Sequence, residues 1–282
     1  METLLKAPLP GEIALAAEVQ GIKKANTDTA TLLALAVLAG AFIALGGLAA
    51  TLAMSGAEGV LPYGVMRLLG GLAFSLGLVL VSIGGAQLFT SDALMVMAWA
   101  SGHVSLGRMV RVWSIVWLGN FVGALGTAVL VFLSGQYAFG QGAVGATALY
   151  FAAAKSGLPP VQAFFLGILC NVLVCLAIWM TLGARSISDK ILAIILPITV
   201  FVAAGFEHCV ANMYFVPLGL LISWGAPDSF WTDLGHGAPA IDAIHFLINL
   251  VAVTAGNWVG GSLLVGAVYW FIYRRNKSPV EA

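Results

Sequence analysis

The sequence predicts an all-α polytopic membrane protein, and three observations lead to that fold class. Of the 282 residues, 61% are hydrophobic and only 9% are charged, whereas a soluble domain carries about 25% charged residues. The mean hydropathy is +1.01. Several apolar runs exceed the ~18 residues that mark a membrane span. A chain of this composition lies in a lipid bilayer, and its net charge of zero exerts no long-range pull on nucleic acid.

The first element is a polar leader over residues 1–28. Leu15, Val19 and Ile22 follow the spacing of one helix face, and Lys23 and Lys24 stand at its end. We therefore predict a short cytoplasmic amphipathic helix. Its apolar face is expected to lie on the membrane surface or over a pore mouth.

Six apolar segments follow the leader and predict six transmembrane helices. Their bounds are Thr29–Met54, Gly64–Ala98, Val112–Ser134, Val161–Ala184, Lys190–Trp224 and Phe246–Tyr273. The second and fifth segments have 35 residues each, which is too long for one straight helix of ~20 residues and too short for two crossings. Polar residues interrupt both, in "GGAQLFTSD" and in "GFEHCVANM". The pattern predicts that helices 2 and 5 are broken within the membrane.

The two halves of the chain share a second mark, which predicts two inverted three-helix repeats. "GNFVG" over residues 119–123 and "GNWVG" over residues 256–260 both have the GxxxG spacing that lets helices approach closely. Asn120 and Asn257 within these motifs are expected to hold loops together. The predicted organisation is one repeat over 29–134, an outer connecting loop over 135–160, a second repeat over 161–273 and a cytoplasmic tail over 274–282.

The basic residues predict the orientation of the chain. Ten of the 12 Lys and Arg residues fall in the termini and in the loops after segments two and four, which share a side. Because short loops rich in Lys and Arg stay in the cytoplasm, both termini are expected to be cytoplasmic. Arg67 and Lys155 remain for the outer side. Lys155 is either an ordinary loop lysine or the residue that attracts an anion to the outer mouth.

Titratable and polar residues interrupt the fifth segment at Glu207, His208 and Asn212. An ionisable side chain inside a membrane usually has a functional role. Glu207 is expected to bond free backbone groups at the break, and Asn212 lies on the same helix face as His208. Thr90 is at the matching restart in the second segment, among good N-cap residue types. Two half-helix N-termini with free N–H groups and ~0.5 positive charge each suit a small anion.

Other classes of function have characteristic sequence motifs that this chain lacks. It contains no HExxH, G-x-S-x-G, Walker A or CxxC motif, so neither a metal nor another cofactor is expected. Its three cysteines lie in apolar runs and are interpreted as packing residues. Two alternatives remain open. One is a membrane-embedded enzyme that uses His208 and Glu207, and the other is a water or glycerol facilitator.

Six stretches, taken in order, resemble the formate/nitrite transporter family, and within it the bacterial formate channels: "GGLAFSLGLVL", "LFTS", "GNFVGAL", "LGILCNVLVCLAIWM", "GFEHCVANM" and "GNWVGGSLLVG". The resemblance covers nearly the whole chain. It implies an aquaporin-like fold and a homopentamer, with a pore in each protomer, in the bacterial cytoplasmic (inner) membrane. The implied partners are formate or a similar small anion and the lipid bilayer, with a cytoplasmic formate-producing enzyme as a further candidate and no nucleic acid.

The resemblance also implies roles for individual residues. His208 matches the central histidine, Thr90 the threonine of the loop in helix two, Asn171 the polar pore residue of helix four and Lys155 the vestibule lysine. The apolar constrictions on either side of the histidine match Phe74, Leu78, Leu88, Phe89, Val174 and Phe201. Each of these six also fits an ordinary core position. The sequence departs from the family pattern at Gln87, where an acid usually precedes "LFT", while "LFTS" favours formate over nitrite.

The implied activity is passive or proton-coupled passage of formate and related small monovalent anions. Lys155 draws the anion in, and protonation near His208 removes the charge before the apolar constriction, where an unpaired carboxylate costs several kcal/mol. Because imidazole titrates near neutral pH, His208 either supplies or relays the proton, or only orients a water molecule. A nitrite or hydrosulfide channel of the same fold is the alternative within this class.

Overall fold

A computed structural model describes residues 8–235, 237 and 239–276, and in these ranges all regular secondary structure is helical. Of the predicted leader and tail, residues 1–7 and 277–282 lie outside the described part. A 3₁₀ turn over 93–95 joins α4 to α5, and a π-helical stretch over 259–267 joins α12 to α13. The helices are α1 (Pro10–Asn26), α2 (Thr29–Met54), α3 (Tyr63–Gly84), α4 (Phe89–Asp92), α5 (Val96–Ala100), α6 (Leu106–Leu133), α7 (Ala143–Ser156), α8 (Pro160–Gly183), α9 (Ile187–Ala203), α10 (Cys209–Gly225), α11 (Asp228–Leu234), α12 (Ala243–Trp258) and α13 (Val268–Tyr273).

Several of these helices are long and apolar enough to cross a membrane, which confirms the predicted fold class. In the described ranges they are α2, α3, α6, α8 and the continuous helix Ala243–Tyr273, with mean hydropathies from 1.5 to 2.4. Their outer faces expose large apolar side chains such as Leu118, Leu130 and Val251. Because water would disfavour such a surface, these faces are suited to lipid or to other apolar protein surfaces.

The leader forms α1, which packs against the protein by another face than the one predicted to lie on the membrane surface or over a pore mouth, and that location stays a prediction. Leu15 and Val19 are exposed, whereas the buried positions of α1 are Ala14, Ala17, Glu18, Gly21 and Ala25. Small residues let the helix lie close against α5, since a β-carbon at position 21 would already contact Ala98. Helical periodicity identifies an apolar face of α1. Close packing of small residues and the buried ion pair between Glu18 and Arg274 determine which face contacts the protein.

The chain turns in the same way after α3 and after α9. Gly85 and Gly205 have positive φ angles of 80° and 75°, a conformation that glycine adopts without steric cost. The next residue in each case donates its N–H to a carbonyl five positions back. Helix then restarts at Phe89 and at Cys209. With 17 residues each, α9 and α10 are both shorter than the ~20 residues that one crossing needs.

The connection between the two halves is more ordered than a loop. The sequence predicts an outer connecting loop over 135–160, yet 14 of its residues form α7. Its run "ATALYFAAA" is rich in alanine, the best helix former. Lys155 lies in the last turn of this helix. The lysine is therefore fixed by a helix that packs against α10 and α12 instead of lying on a free loop.

The two GNxxG motifs provide close helix packing, as their spacing predicts. Gly123 on α6 lies against α2, where a β-carbon would overlap the carbonyl oxygen of Val37. Gly260, in the helix that continues α12, lies in the same way against the carbonyl of Ile168 on α8. In a bilayer such backbone contact replaces the hydrophobic effect as the source of helix association.

We expect Gly123→Ala to destabilise the protein, because the added methyl group must push α6 away from α2. Overpacking of this kind costs about 1–3 kcal/mol. The matched control is Gly126→Ala on the same helix, where a β-carbon meets no atom within 4 Å. The control should unfold at or slightly above the wild-type temperature. Thermal unfolding of the detergent-purified proteins measures both, and equal unfolding temperatures for the two variants would contradict the packing argument.

Candidate functional site

The side chain of Asn120 on α6 holds the turn between α3 and α4. Its Oδ1 accepts the N–H of Phe89 at 2.9 Å, and its Nδ2 donates to the carbonyls of Ala36 (2.7 Å) and Gln87 (3.0 Å). The N–H of Gln87 donates in turn to the carbonyl of Leu35 at 3.1 Å. One amide thus satisfies backbone groups that the missing helical turn leaves free.

Asn257 on α12 holds the turn between α9 and α10 in the same manner. Its Oδ1 accepts the N–H of Cys209 at 2.9 Å, and its Nδ2 donates to the carbonyls of Gly167 (2.8 Å) and Glu207 (2.9 Å). The N–H of Glu207 donates to the carbonyl of Leu166 at 3.3 Å. Both asparagines therefore contact the loops, as predicted from their place in the GNxxG motifs.

His208 is the N-cap residue of α10, and this position determines its tautomer. Its Nδ1 accepts the N–H of Ala211 at 3.1 Å, so in the neutral ring the proton is on Nε2. Nε2 lies 2.9 Å from Oγ1 of Thr90. The histidine therefore donates to the threonine, whose own O–H is left to donate elsewhere. An imidazolium ring has no acceptor nitrogen, so the capping bond requires neutral histidine.

The half-helix N-termini offer fewer free N–H groups than predicted. Asn120 binds the N–H of Phe89, Asn257 binds that of Cys209, and His208 itself binds that of Ala211. The sequence could not reveal that side chains already occupy these donors. What remains for an anion is the partial positive charge of the helix ends and the neighbouring side chains.

Thr90 and Asn171 connect the two halves of the chain beside His208. Nδ2 of Asn171 on α8 donates to the carbonyls of Thr90 (3.1 Å) and Asn257 (2.6 Å). Both side chains are fully buried. Within the described part of the chain, Oδ1 of Asn171 has no hydrogen-bond partner. An acceptor without a partner thus lies close to the Thr90–His208 contact.

Lys155 and Glu207 form an ion pair on one side of His208. Nζ of Lys155 lies 2.8 Å from Oε1 of Glu207, and Oε2 accepts from Nδ2 of Asn212 at 2.6 Å. Asn249 on α12, which sequence reasoning missed, accepts from Asn212 and donates to the carbonyl of Lys155. The prediction that the Glu207 carboxylate bonds free backbone groups is wrong, because Asn257 supplies the loop bonds and leaves the carboxylate to the lysine.

A cavity of about 310 Å³ opens beside this ion pair and reaches His208. Arg67 and Gln162, which sequence reasoning had not assigned to the site, are among its lining residues. The Arg67 guanidinium donates to the carbonyls of Val202 and Ala203 at the end of α9. A basic residue at a helix C-terminus is favourable. The charges of Arg67, Lys155 and Glu207 sum to one positive charge in the cavity.

Aromatic rings surround the floor of the cavity. Phe74 contacts Phe201 edge to face at 5.5 Å, and Phe201 lies over the His208 ring at 6.0 Å. Phe215, which sequence reasoning also missed, stacks on Phe74 at 6.5 Å and lies 5.6 Å from Nζ of Lys155. The predicted constriction residues Phe74 and Phe201 therefore line the same cavity as the histidine.

The other four predicted constriction residues have different surroundings. Leu78, Leu88 and Val174 are buried in the apolar core. Phe89 is also buried, and it lines an apolar surface groove together with Trp117 and Thr254. None of the four lines the cavity that reaches His208.

Comparisons with known proteins agree with this geometry. The family described as "Formate/nitrite transporter" matches residues 11–271. "Formate channel FocA" of Escherichia coli strain K12 is 42% identical over 272 residues, or 95% of each chain. "Formate channel FocB" of the same strain is 37% identical over 270 residues, or 94% of each chain.

A solved structure has the same fold. "Pentameric formate channel with formate bound" is 43% identical with a TM-score of 0.83, and the match covers 87% of this chain and 97% of that one. These relatives are transport proteins, and the alternative of an enzyme that uses His208 and Glu207 is therefore wrong. The chain is a multi-pass membrane protein that belongs to the formate/nitrite transporter family.

Proposed function

We propose that the protein is a channel for formate and related small monovalent anions, with the substrate protonated near His208. The observation that carries the proposal is the cavity beside Lys155, which has a net positive charge and reaches His208, the hydrogen-bond partner of Thr90. A positive cavity raises the local concentration of an anion. A nitrite or hydrosulfide channel of the same fold is the alternative.

The central side chains fit the passage of a small acid. Because His208 donates to Thr90, the Thr90 O–H is available to a carboxylate oxygen. Oδ1 of Asn171, which has no partner among the described residues, is an acceptor suited to the O–H of a protonated acid. Leu78, Leu88 and Val174 are buried in the apolar core and do not line the cavity that reaches His208. There a neutral acid passes at much lower cost than an anion.

The geometry favours an orienting role for His208 over direct proton donation. To transfer a proton to the anion, the His208 ring must first become an imidazolium. Its Nδ1 then carries a proton and can no longer accept the capping hydrogen bond from the N–H of Ala211. Neutral His208 instead holds Thr90 by its Nε2–H. The proton that neutralises the anion then comes from hydronium of the outer solution and is relayed by water in the outer cavity, so that no hydroxide is left behind. Glu207 and Asn212 keep Lys155 beside that water.

The architecture proposed for this channel is six crossings in two inverted three-helix repeats, over 29–134 and 161–273. In this arrangement α3 with α4–α5, and α9 with α10, each make one broken crossing. The matched loop bonds made by Asn120 and Asn257 support the repeat. Non-helical backbone at membrane depth requires such internal partners.

We further propose that both termini are cytoplasmic and that the protein lies in the bacterial inner membrane. Arg108, Arg111 and Arg274 all bond residues of α1 or of the turn after it, so the basic residues of several segments lie at one end. Arg67 and Lys155 line the cavity near the other end. This asymmetry supports a cytoplasmic location for the α1 end.

A homopentamer is the assembly that we propose, by analogy with the pentameric formate channel. The apolar groove lined by Phe89, Trp117 and Thr254 is open to the outside of the protomer and is suited to lipid or a neighbouring copy. A cytoplasmic enzyme that produces formate is the proposed soluble partner.

The substrate is tested by uptake into proteoliposomes at two pH values. We expect formate to enter at a rate at least comparable with those of nitrite and hydrosulfide, and faster at the lower pH because protonation assists passage. Empty liposomes correct for diffusion of the neutral acids. Formate flux far below that of nitrite would favour the alternative, and equal glycerol and formate fluxes would favour a facilitator.

His208→Asn should fold and retain pH-dependent formate flux, because asparagine keeps both an N-cap acceptor and a hydrogen-bond donor. His208→Leu removes both groups and joins the apolar surfaces on either side, so it should abolish flux. Flux across a series of pH values in proteoliposomes measures both variants. A flat pH profile for the folded His208→Asn protein would mean that His208 itself carries the proton.

Lys155→Met should raise the half-saturating formate concentration severalfold at low ionic strength, since it removes a cation and leaves Glu207 without its partner. Adding Glu207→Gln should recover stability but not affinity. Lys23→Met, at an exposed position of α1, is the matched control. An unchanged half-saturation in the Lys155 variant would make this lysine a purely structural residue.

A further inference from the structure

The uncancelled positive charge of the cavity that reaches His208 belongs to Arg67. Arg67, Lys155 and Glu207 all line this cavity. Nζ of Lys155 lies 2.8 Å from Oε1 of Glu207, so the pair has no net charge for an anion that is still farther away. Arg67 forms no ion pair with any residue that the structure describes. The charge that remains is therefore that of its guanidinium.

Neutral backbone groups hold the Arg67 side chain in place. Its Nε donates to the carbonyl of Ala203 at 3.3 Å, and its Nη2 donates to the carbonyl of Val202. These are the last two residues of α9. The C-terminal end of a helix carries about half a negative charge, which weakens the field of the arginine without cancelling it. Arg67 thus keeps a surplus of positive charge in a half-buried position.

The two bonds use one edge of the guanidinium and leave a second edge open. Nε and Nη2 donate to α9, whereas Nη1 and the remaining N–H of Nη2 have no partner among the described residues. These two nitrogens form a planar fork that matches the two oxygens of a carboxylate. Gly205 has no side chain to cover the guanidinium, since a β-carbon there would lie 3.5 Å from Nη2. The open edge is therefore available to a small anion in the cavity.

Arg67 lies between the mouth of the cavity and His208. Tyr63, one helical turn before Arg67 on α3, lines both this cavity and a wider one of about 710 Å³, which His208 does not line. Phe74, about 10 Å further along α3, contacts Phe201, whose ring lies over the His208 ring. An anion that enters from the wider cavity therefore meets Arg67 before it reaches the histidine.

We propose that the Arg67 guanidinium is the entry ligand of the channel and that it selects anions with two oxygens over spherical ones. The inference rests on the proposed anion channel and names the chemical class that its outer end prefers. Formate and nitrite each accept two parallel N–H···O bonds from the fork, whereas chloride and hydrosulfide each offer one acceptor atom. Lys155 acts only at contact distance, because Glu207 cancels its charge farther away.

Two substitutions at position 67 separate the charge from the fork. Arg67→Gln removes the charge but keeps an amide that donates to an α9 carbonyl. Arg67→Lys keeps the charge and replaces the fork by a compact ammonium group. Lys155→Met/Glu207→Gln removes the ion pair without changing the net charge of the cavity. Lys23→Gln, at an exposed position of α1, is the control for loss of a charge elsewhere.

The charge is tested by the half-saturating formate concentration on the side opposite α1, in vesicles of defined orientation. A salt with a bulky organic anion sets a low or a high ionic strength. We expect Arg67→Gln to raise the value about tenfold at low ionic strength and to lose most of its salt dependence. Lys155→Met/Glu207→Gln and Lys23→Gln should keep the wild-type ratio between the two ionic strengths. A folded Arg67→Gln protein with wild-type values would overturn the proposal and leave Arg67 as a helix cap.

The fork is tested by chloride as a competitor of formate uptake at constant ionic strength. Arg67→Lys should keep the salt dependence of the wild type, while chloride inhibits this variant at a severalfold lower concentration relative to formate. Equal discrimination between formate and chloride in the two proteins would mean that the fork selects nothing. A role limited to capping α9 would instead lower the unfolding temperature of both Arg67 variants and leave discrimination and salt dependence unchanged.

Failure of the proposed function gives a different result. If wild-type vesicles pass no formate, the channel proposal fails, and formate binding to the detergent-purified protein tests Arg67 by itself. Formate should then raise the unfolding temperature of the wild type more than that of Arg67→Gln, because only the wild type has the fork that binds it. Equal shifts in the two proteins would contradict the Arg67 site as well.

Discussion

The structure depends on satisfying backbone groups at two non-helical turns, one between α3 and α4 and one between α9 and α10. Hydrocarbon offers no hydrogen bonds, so each N–H and C=O released by a break must find a partner in the protein. Asn120 and Asn257 each bond one N–H and one C=O of a turn. Each also donates to a carbonyl of a neighbouring helix, α2 or α8, with which the flanking glycines make backbone contact. Close packing and loop anchoring are therefore two results of one short motif.

Because the asparagines satisfy the loops, the other polar groups are released for different contacts. Glu207 uses its carboxylate for Lys155 and Asn212, and His208 caps α10 while its other nitrogen contacts Thr90. The buried charges are thereby paired, as a low-dielectric surrounding requires. The histidine remains a neutral donor at the boundary between a charged cavity and an apolar core, which is where we propose that the anion loses its charge.

At the end of the protein where α1 lies, buried carboxylates are likewise paired with basic side chains. Glu18 is buried beneath Arg274 and near His103, and Lys24 reaches Asp92 from the same helix. These contacts explain why the leader packs by its small residues, although its larger apolar side chains have a regular helical spacing. Leaving a buried charge unpaired would cost more free energy than exposing a few leucine and valine side chains, because apolar side chains are exposed to lipid at little cost.

The sequence by itself determined the membrane class, the positions at which helices stop and restart, the close-packing glycines and the polar residues at the centre, because hydropathy, segment length and glycine are local properties. Only the tertiary structure decided which polar groups meet. Asn249, Arg67 and Phe215 join the site from distant helices, and α7 turns an expected loop into the support for Lys155. Partner choice among buried polar groups depends on three-dimensional proximity, since residues more than fifty positions apart form the decisive pairs, and one sequence carries no record of such distances.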